Sequence, residues 1–107
     1  MGARHVMLAA TIALPMSTGH GAAQEIGQPS RGLALAQRLC ADCHAIQKEY
    51  ARSPNANAPP FQAIAATPGM TAMALAAALN TSHHSMPNIV LAADEQADII
   101  AYILSLK

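Results

Sequence analysis

The sequence predicts a small all-α domain in which three or four short helices are joined by long loops. Apolar residues recur at helical spacing in three separate segments of the 107-residue chain. No stretch alternates apolar and polar residues in the way that a half-buried strand does. Prolines and asparagines fill the intervening stretches, where they favour turns and loops.

The N-terminal residues are expected to be a targeting signal. Residues 6–16 form an apolar stretch that is shorter than the about 20 residues needed to span a bilayer. Small residues follow, and Gly-Ala-Ala at 21–23 fits a signal-peptidase site. We interpret residues 1–23 as a secretory signal peptide and residues 24–107 as one exported, periplasmic domain. The alternative is a buried N-terminal helix or an uncleaved anchor, and Pro15 disfavours the helix.

Three segments of the domain are expected to be helical. The first begins after Ser30 as N-cap and ends near residue 40, and the second covers about 71–80 with Thr71 as N-cap. The third, residues 92–107, has the clearest pattern, but Ala92 supplies only half of a capping box with Glu95. The first helix is expected to pack through one stripe, consisting of Leu33, Ala36, Leu39 and Cys40.

The composition indicates that side chains alone fill the core poorly. Aromatic residues make up 3% of the chain and charged residues 11%, and alanine is abundant. A domain of this size often needs a staple or a bound group. The formal net charge is zero, so no basic surface suggests nucleic acid as a partner.

Residues 40–44 read Cys-Ala-Asp-Cys-His, and this motif admits several chemistries. A thioredoxin-like dithiol needs a βαβ setting, which the sequence does not predict. A zinc site needs four ligands, the fourth being His83 or His84. A Cys40–Cys43 disulfide would leave the histidine unexplained.

Attachment of a c-type haem accounts for all three residues of the motif. The two thiols, about one helical turn apart, can add to the two vinyl groups of a porphyrin. His44 then lies where it can ligate the iron. Export also suits this chemistry, because bacteria attach c-type haem outside the cytoplasmic membrane.

The sixth iron ligand is predicted to be Met86. Pro87 follows it in an irregular segment and stiffens the loop. A methionine paired with a histidine raises the reduction potential and suits an electron carrier. Other candidates remain, namely Met70, Met73, His83 and His84. An open iron site, as in a sensor or an enzyme, is a further alternative.

The chain resembles the class I c-type cytochromes through "GLALAQRLCADCH", "APPF" and "SMPNIVLAADEQADIIAYILSL". The resemblance implies the small class I cytochrome c fold around one covalent haem c. It also implies that Gly32 and Tyr102 meet where the first and last helices cross. The Pro59 carbonyl would accept the Nδ1 hydrogen of His44, and Phe61 would line the haem.

The function that the resemblance implies is electron transfer and not catalysis. Cys40 and Cys43 would anchor the haem, with His44 and Met86 as iron ligands. The expected partners are redox proteins that dock transiently on a monomer, without stable membrane insertion. A haem subunit of a larger oxidoreductase is the alternative. Five apolar residues are expected to exclude water from the haem: Ile64, Leu75, Leu79, Ile89 and Leu104. Three basic residues near the motif could steer an acidic partner or simply be solvated: Arg38, Lys48 and Arg52.

Overall fold

The computed structural model describes residues 1–2, 26–83 and 85–107. Most of the segment interpreted as a signal peptide lies outside the described residues, and so does His84. Within these described residues, four helices follow one another: α1 (Pro29–Leu39), α2 (Phe61–Ala66), α3 (Ala72–Leu79) and α4 (Ala93–Leu104). No strand occurs in the described part of the chain, so the predicted all-α class is confirmed.

Helix α1 begins two residues earlier than predicted. Gln28 occupies the N-cap without a side-chain cap, and Pro29 takes the first helical turn. Proline suits this position, because its missing N–H would have no intrahelical acceptor and its φ is already helical. The prediction of Ser30 as N-cap was therefore wrong. The predicted stripe was also shifted, because Leu35 and Ala36 are buried while Leu39 is 41% exposed.

The caps of α3 and α4 follow the sequence. Thr71 Oγ1 accepts a hydrogen bond of 3.1 Å from the N–H of Ala74, which confirms Thr71 as the N-cap of α3. The Glu95 carboxylate accepts one of 3.0 Å from the N–H of Ala92. Because an alanine side chain has no acceptor, α4 has the expected half of a capping box.

Helix α2 was not predicted, because this stretch was expected to belong to a loop. It begins directly after Pro60, which adopts φ −57° at the N-cap position. Phe61 and Ala65, one turn apart, are its buried residues. They pack with Leu75 and the buried face of α4 into one apolar core.

The first and last helices cross in close contact at Gly32. A Cβ on Gly32 would collide with the main-chain carbonyl of Asp98 and would lie 2.7 Å from the Cβ of Tyr102. The Gly32–Tyr102 contact implied by the resemblance is therefore present. Gly27 makes a second close approach, because a Cβ there would collide with the Ala97 carbonyl.

The Asp98 side chain ties the start of α1 to the middle of α4. Asp98 is 4% exposed, and its carboxylate accepts bonds from Arg31 Nε at 2.8 Å and from the Gln28 N–H at 2.6 Å. These two donors, with Arg31 the stronger, hold the pKa of Asp98 below its usual range. The crossing of α1 and α4 thus has two components, the close contact at Gly32 and the buried Asp98 carboxylate that is paired with Arg31.

Among the helices that the structure describes, none is both long and apolar enough to cross a bilayer.

Candidate haem-binding site

A cavity of about 560 Å³ opens between the Cys-Ala-Asp-Cys-His motif, α3, α4 and the segment that contains Met86. Its volume falls in the range of about 300–1,000 Å³ that is usual for cofactor sites. The residues around it come from every helix and both long loops, and many are apolar: Leu39, Cys40, Asp42, Cys43, His44, Asn55, Asn57, Ala58, Pro59, Phe61, Ile64, Leu75, Ala78, Leu79, His83, Ser85, Met86, Pro87, Ile89, Ile99 and Ile103.

The motif forms a turn directly after α1. The N–H of His44 donates to the Cys40 carbonyl at 2.9 Å, and the N–H of Cys43 donates to it at 3.2 Å. Both thiols are free and border the cavity together with His44. Burial, and then the neighbouring Cys43, raise the pKa of the Cys40 thiol to about 11. Cys40 is therefore a protonated thiol at neutral pH.

The imidazole of His44 is oriented by the chain that follows it. Its Nδ1 lies 2.7 Å from the carbonyl oxygen of Pro59, the pair of atoms expected from the resemblance. When Nδ1 donates its hydrogen to that carbonyl, the lone pair is on Nε2, the nitrogen available to a metal. The ring of Phe61 lies beside the imidazole, with 5.4 Å between the ring centroids.

The proline-rich loop forms hydrogen bonds with the main-chain groups of Cys43 and Ala45. The N–H of Asn55 donates to the Cys43 carbonyl at 3.1 Å, and the N–H of Phe61 donates to the Ala45 carbonyl at 2.9 Å. The N–H of Ala45 donates to Ser53 Oγ at 3.0 Å. We call residues 53–61 the strap. These hydrogen bonds hold the strap against the motif.

Met86 is one of two candidate sixth ligands that border the cavity among the described residues. It is half-buried in an irregular segment, and its N–H donates to the His83 carbonyl at 3.3 Å. Met70 packs against the core away from the cavity, and Met73 is 83% exposed. His83 also borders the cavity, and its Nδ1 lies 2.8 Å from the Thr81 carbonyl oxygen.

The apolar wall differs from the prediction at α4. Ile64, Leu75, Leu79 and Ile89 border the cavity as expected. Leu104 instead packs against the core outside the cavity, so its assignment was wrong. Ile99 and Ile103 take its place, and they belong to the one-sided apolar stripe that the sequence of α4 displays. This part of the wall is therefore the buried face of α4. Leu104 follows Ile103 directly, so it is rotated from Ile103 by about 100° around the helix axis, off that face.

The donor set fits a covalently attached haem better than the alternatives. The thioethers require two free thiols on one side of a turn, and the cavity presents both beside an oriented imidazole. Among residues 26–83 and 85–107, no three His, Cys, Asp or Glu side chains are grouped so that they could hold a metal ion. The three basic residues proposed to steer partners are all exposed: Arg38, Lys48 and Arg52.

Comparison with known proteins identifies a relative that spans most of the chain. The chain is 36% identical over 95 residues to cytochrome c-552 of Bradyrhizobium diazoefficiens, and the match covers 89% of this chain and 80% of the relative. No family model matches the chain, and no solved structure matches it.

Proposed function

This chain belongs to the c-type cytochromes, and on that premise we propose that it is a mono-haem electron carrier working between redox partners outside the cytoplasmic membrane. The observation that carries the proposal is the convergence of Cys40, Cys43, His44 and Met86 on one largely apolar cavity. In this proposal Cys40 and Cys43 hold the haem c, and His44 and Met86 ligate its iron.

The haem, when bound, supplies a one-electron change at its iron. The residues of the chain set the conditions for that change. Cys40 and Cys43 would hold the haem through thioethers, in which each S–H would have added across a vinyl double bond without a leaving group. By accepting the Nδ1 hydrogen, the Pro59 carbonyl would leave the His44 lone pair on Nε2, the nitrogen that would bind the iron. The soft thioether of Met86 favours the ferrous state.

The environment of the site supports transfer rather than catalysis. With His44 and Met86 both as ligands, no coordination position would be open for a substrate, and neither ligand would have to leave when the charge changes. The isoleucines and leucines of the cavity wall exclude water, so little solvent has to reorganise. Redox partners dock weakly and transiently on a monomer, and Arg38, Lys48 and Arg52 are available to an acidic partner.

The test of the iron ligands is the visible spectrum of the purified protein in both oxidation states. The parent is expected to show a far-red charge-transfer band from thioether sulfur to ferric iron. Met86→Ala should abolish this band and let carbon monoxide bind the ferrous protein quickly. Met73→Ala is the matched control, because Met73 is exposed and lies away from the cavity. A Met86→Ala protein that keeps the band would contradict the assignment.

Export is the second part of the proposal. Residues 1–23 direct secretion and are removed, and the domain formed by residues 24–107 matures in the periplasm. Cell fractionation with N-terminal sequencing of the haem-loaded product tests this. A coloured product that remains cytoplasmic, or one that keeps its first 23 residues, would contradict it.

A further inference from the structure

The buried side chain of Tyr102 links the helix crossing to the segment that follows His44. Tyr102 is 7% exposed, and its hydroxyl donates a hydrogen bond of 2.6 Å to the Ile46 carbonyl. Its Cβ lies against Gly32 of α1. Its ring is 6.4 Å from that of Phe61, which itself lies beside the imidazole of His44. One residue of α4 therefore contacts three parts of the structure that surround the motif.

The segment 43–46 is held from two directions. The strap binds it through the main chain of residues 43 and 45 and through the His44 imidazole. The bond from Tyr102 to Ile46 instead joins the segment to α4. Ala45 and Ile46 are 5% and 6% exposed, so water does not readily replace a lost donor at the Ile46 carbonyl. The position of His44 relative to Pro59 thus depends on both attachments.

We infer that Tyr102 is a positioning residue for the iron-ligating imidazole, because its hydroxyl fixes Ile46 and so keeps His44 Nδ1 at hydrogen-bond distance from the Pro59 carbonyl. This inference rests on the proposed function, since it concerns the imidazole as an iron ligand. A hydrogen bond from Nδ1 makes the ligating nitrogen more basic and stabilises ferric iron. Loosening of the segment therefore weakens the ligand and raises the reduction potential.

The chain offers a matched pair of variants, because its two tyrosines differ in burial. Tyr102→Phe removes the hydroxyl and keeps the ring that packs on Gly32 and Phe61. Tyr50→Phe removes the hydroxyl of a residue that is 60% exposed. Two quantities are measured on each haem-loaded protein, namely the reduction potential and the exchange rate of the His44 Nδ1 hydrogen by NMR.

Tyr102→Phe is expected to shift the potential in the positive direction and to speed exchange of the His44 hydrogen. Tyr50→Phe is expected to match the parent in both measurements. A haem-loaded Tyr102→Phe protein with the parental potential and exchange rate would overturn the inference and leave the proposed function intact. Failure of the parent to carry covalent haem would instead overturn the proposed function.

A second test strengthens the hydroxyl donor instead of removing it, and it applies even if Tyr102→Phe does not fold. Meta-fluorotyrosine is incorporated into the Tyr50→Phe protein, so that position 102 alone carries the more acidic phenol. Burial, and then the charge of Glu49, raise the pKa of Tyr102, which opposes ionisation of the more acidic phenol. The inference requires a negative shift of the potential relative to the unlabelled Tyr50→Phe protein. An unchanged or a higher potential contradicts it.

Discussion

Replacement of Gly32 by alanine is expected to force α1 and α4 apart. The added Cβ would lie 2.6 Å from the Asp98 carbonyl carbon and 2.7 Å from the Tyr102 Cβ. Carbon atoms in contact are about 3.5–4.0 Å apart, so the helices would have to separate by about 1 Å. The overlapping atoms belong to the main chain or are bonded directly to it. A change of side-chain rotamer therefore cannot relieve the collision.

The size of the effect follows from two opposing contributions. Overpacking costs about 1–3 kcal/mol, and the upper end applies here because backbone has to move. Alanine is better than glycine in a helix by about 1 kcal/mol, which offsets part of that cost. The free energy of unfolding should therefore fall by about 2 kcal/mol. For a domain of this size, the loss lowers Tm by about 8–16 °C.

The assay is thermal unfolding of the ferric, haem-loaded protein, followed by far-ultraviolet circular dichroism. Ala34→Gly is the control, because Ala34 is an exposed residue of the same helix. This variant isolates the contribution of helix propensity. It should lower the free energy of unfolding by about 1 kcal/mol, which is the cost of glycine in a helix interior. If Gly32→Ala melts at or above the parental Tm, the close crossing of the two helices is refuted.

Three further predictions concern stability. The pKa of Asp98 is lowered mainly by its hydrogen bond to Arg31. Its contribution to the free energy of unfolding is therefore present above the unfolded pKa of about 3.9 and is lost as pH falls through the lower folded value. Denaturant unfolding of the parent and of Asp98→Asn should accordingly differ most near pH 6 and converge in acid, and a difference independent of pH contradicts this. Leu75→Ala should lower the free energy of unfolding by about 2–5 kcal/mol because the side chain is buried. Met73→Ala should change it by less than about 0.5 kcal/mol. Equal losses of the two variants in guanidinium unfolding would contradict the burial of Leu75 in the core. Thr71→Ala should cost about 1 kcal/mol by loss of the α3 cap, and an unchanged midpoint of unfolding would show that the cap contributes nothing.

The features that could be predicted from sequence are those set by local geometry. The spacing of residues 40–44 fixes one helical turn, so the two thiols and the imidazole had to be neighbours. Thr71 and Glu95 cap helices through residues only three positions away, and both contacts occur as expected. The resemblance added the long-range pairs, Gly32 with Tyr102 and His44 with Pro59.

The features that were missed depend on contacts between distant residues or on very short elements. Asp98 stands next to Ile99 and Ile100 in sequence, and an acidic residue on a buried face was a signal that it has a partner. Its partner Arg31 is 67 residues away, however, and no local pattern identifies it. Helix α2 has six residues, too few for helical periodicity to be recognised.

The nature of the haem attachment is tested most directly by intact-mass measurement after acid–acetone extraction, with the protein produced in cells competent for cytochrome maturation. If Cys40 and Cys43 carry the haem, the polypeptide should keep the mass of one haem and its Soret absorbance. Replacement of Cys40 and Cys43 by serine should abolish both. Purified parent protein that has the mass of the bare polypeptide, or that releases its haem into the acetone, would contradict covalent attachment at Cys40 and Cys43.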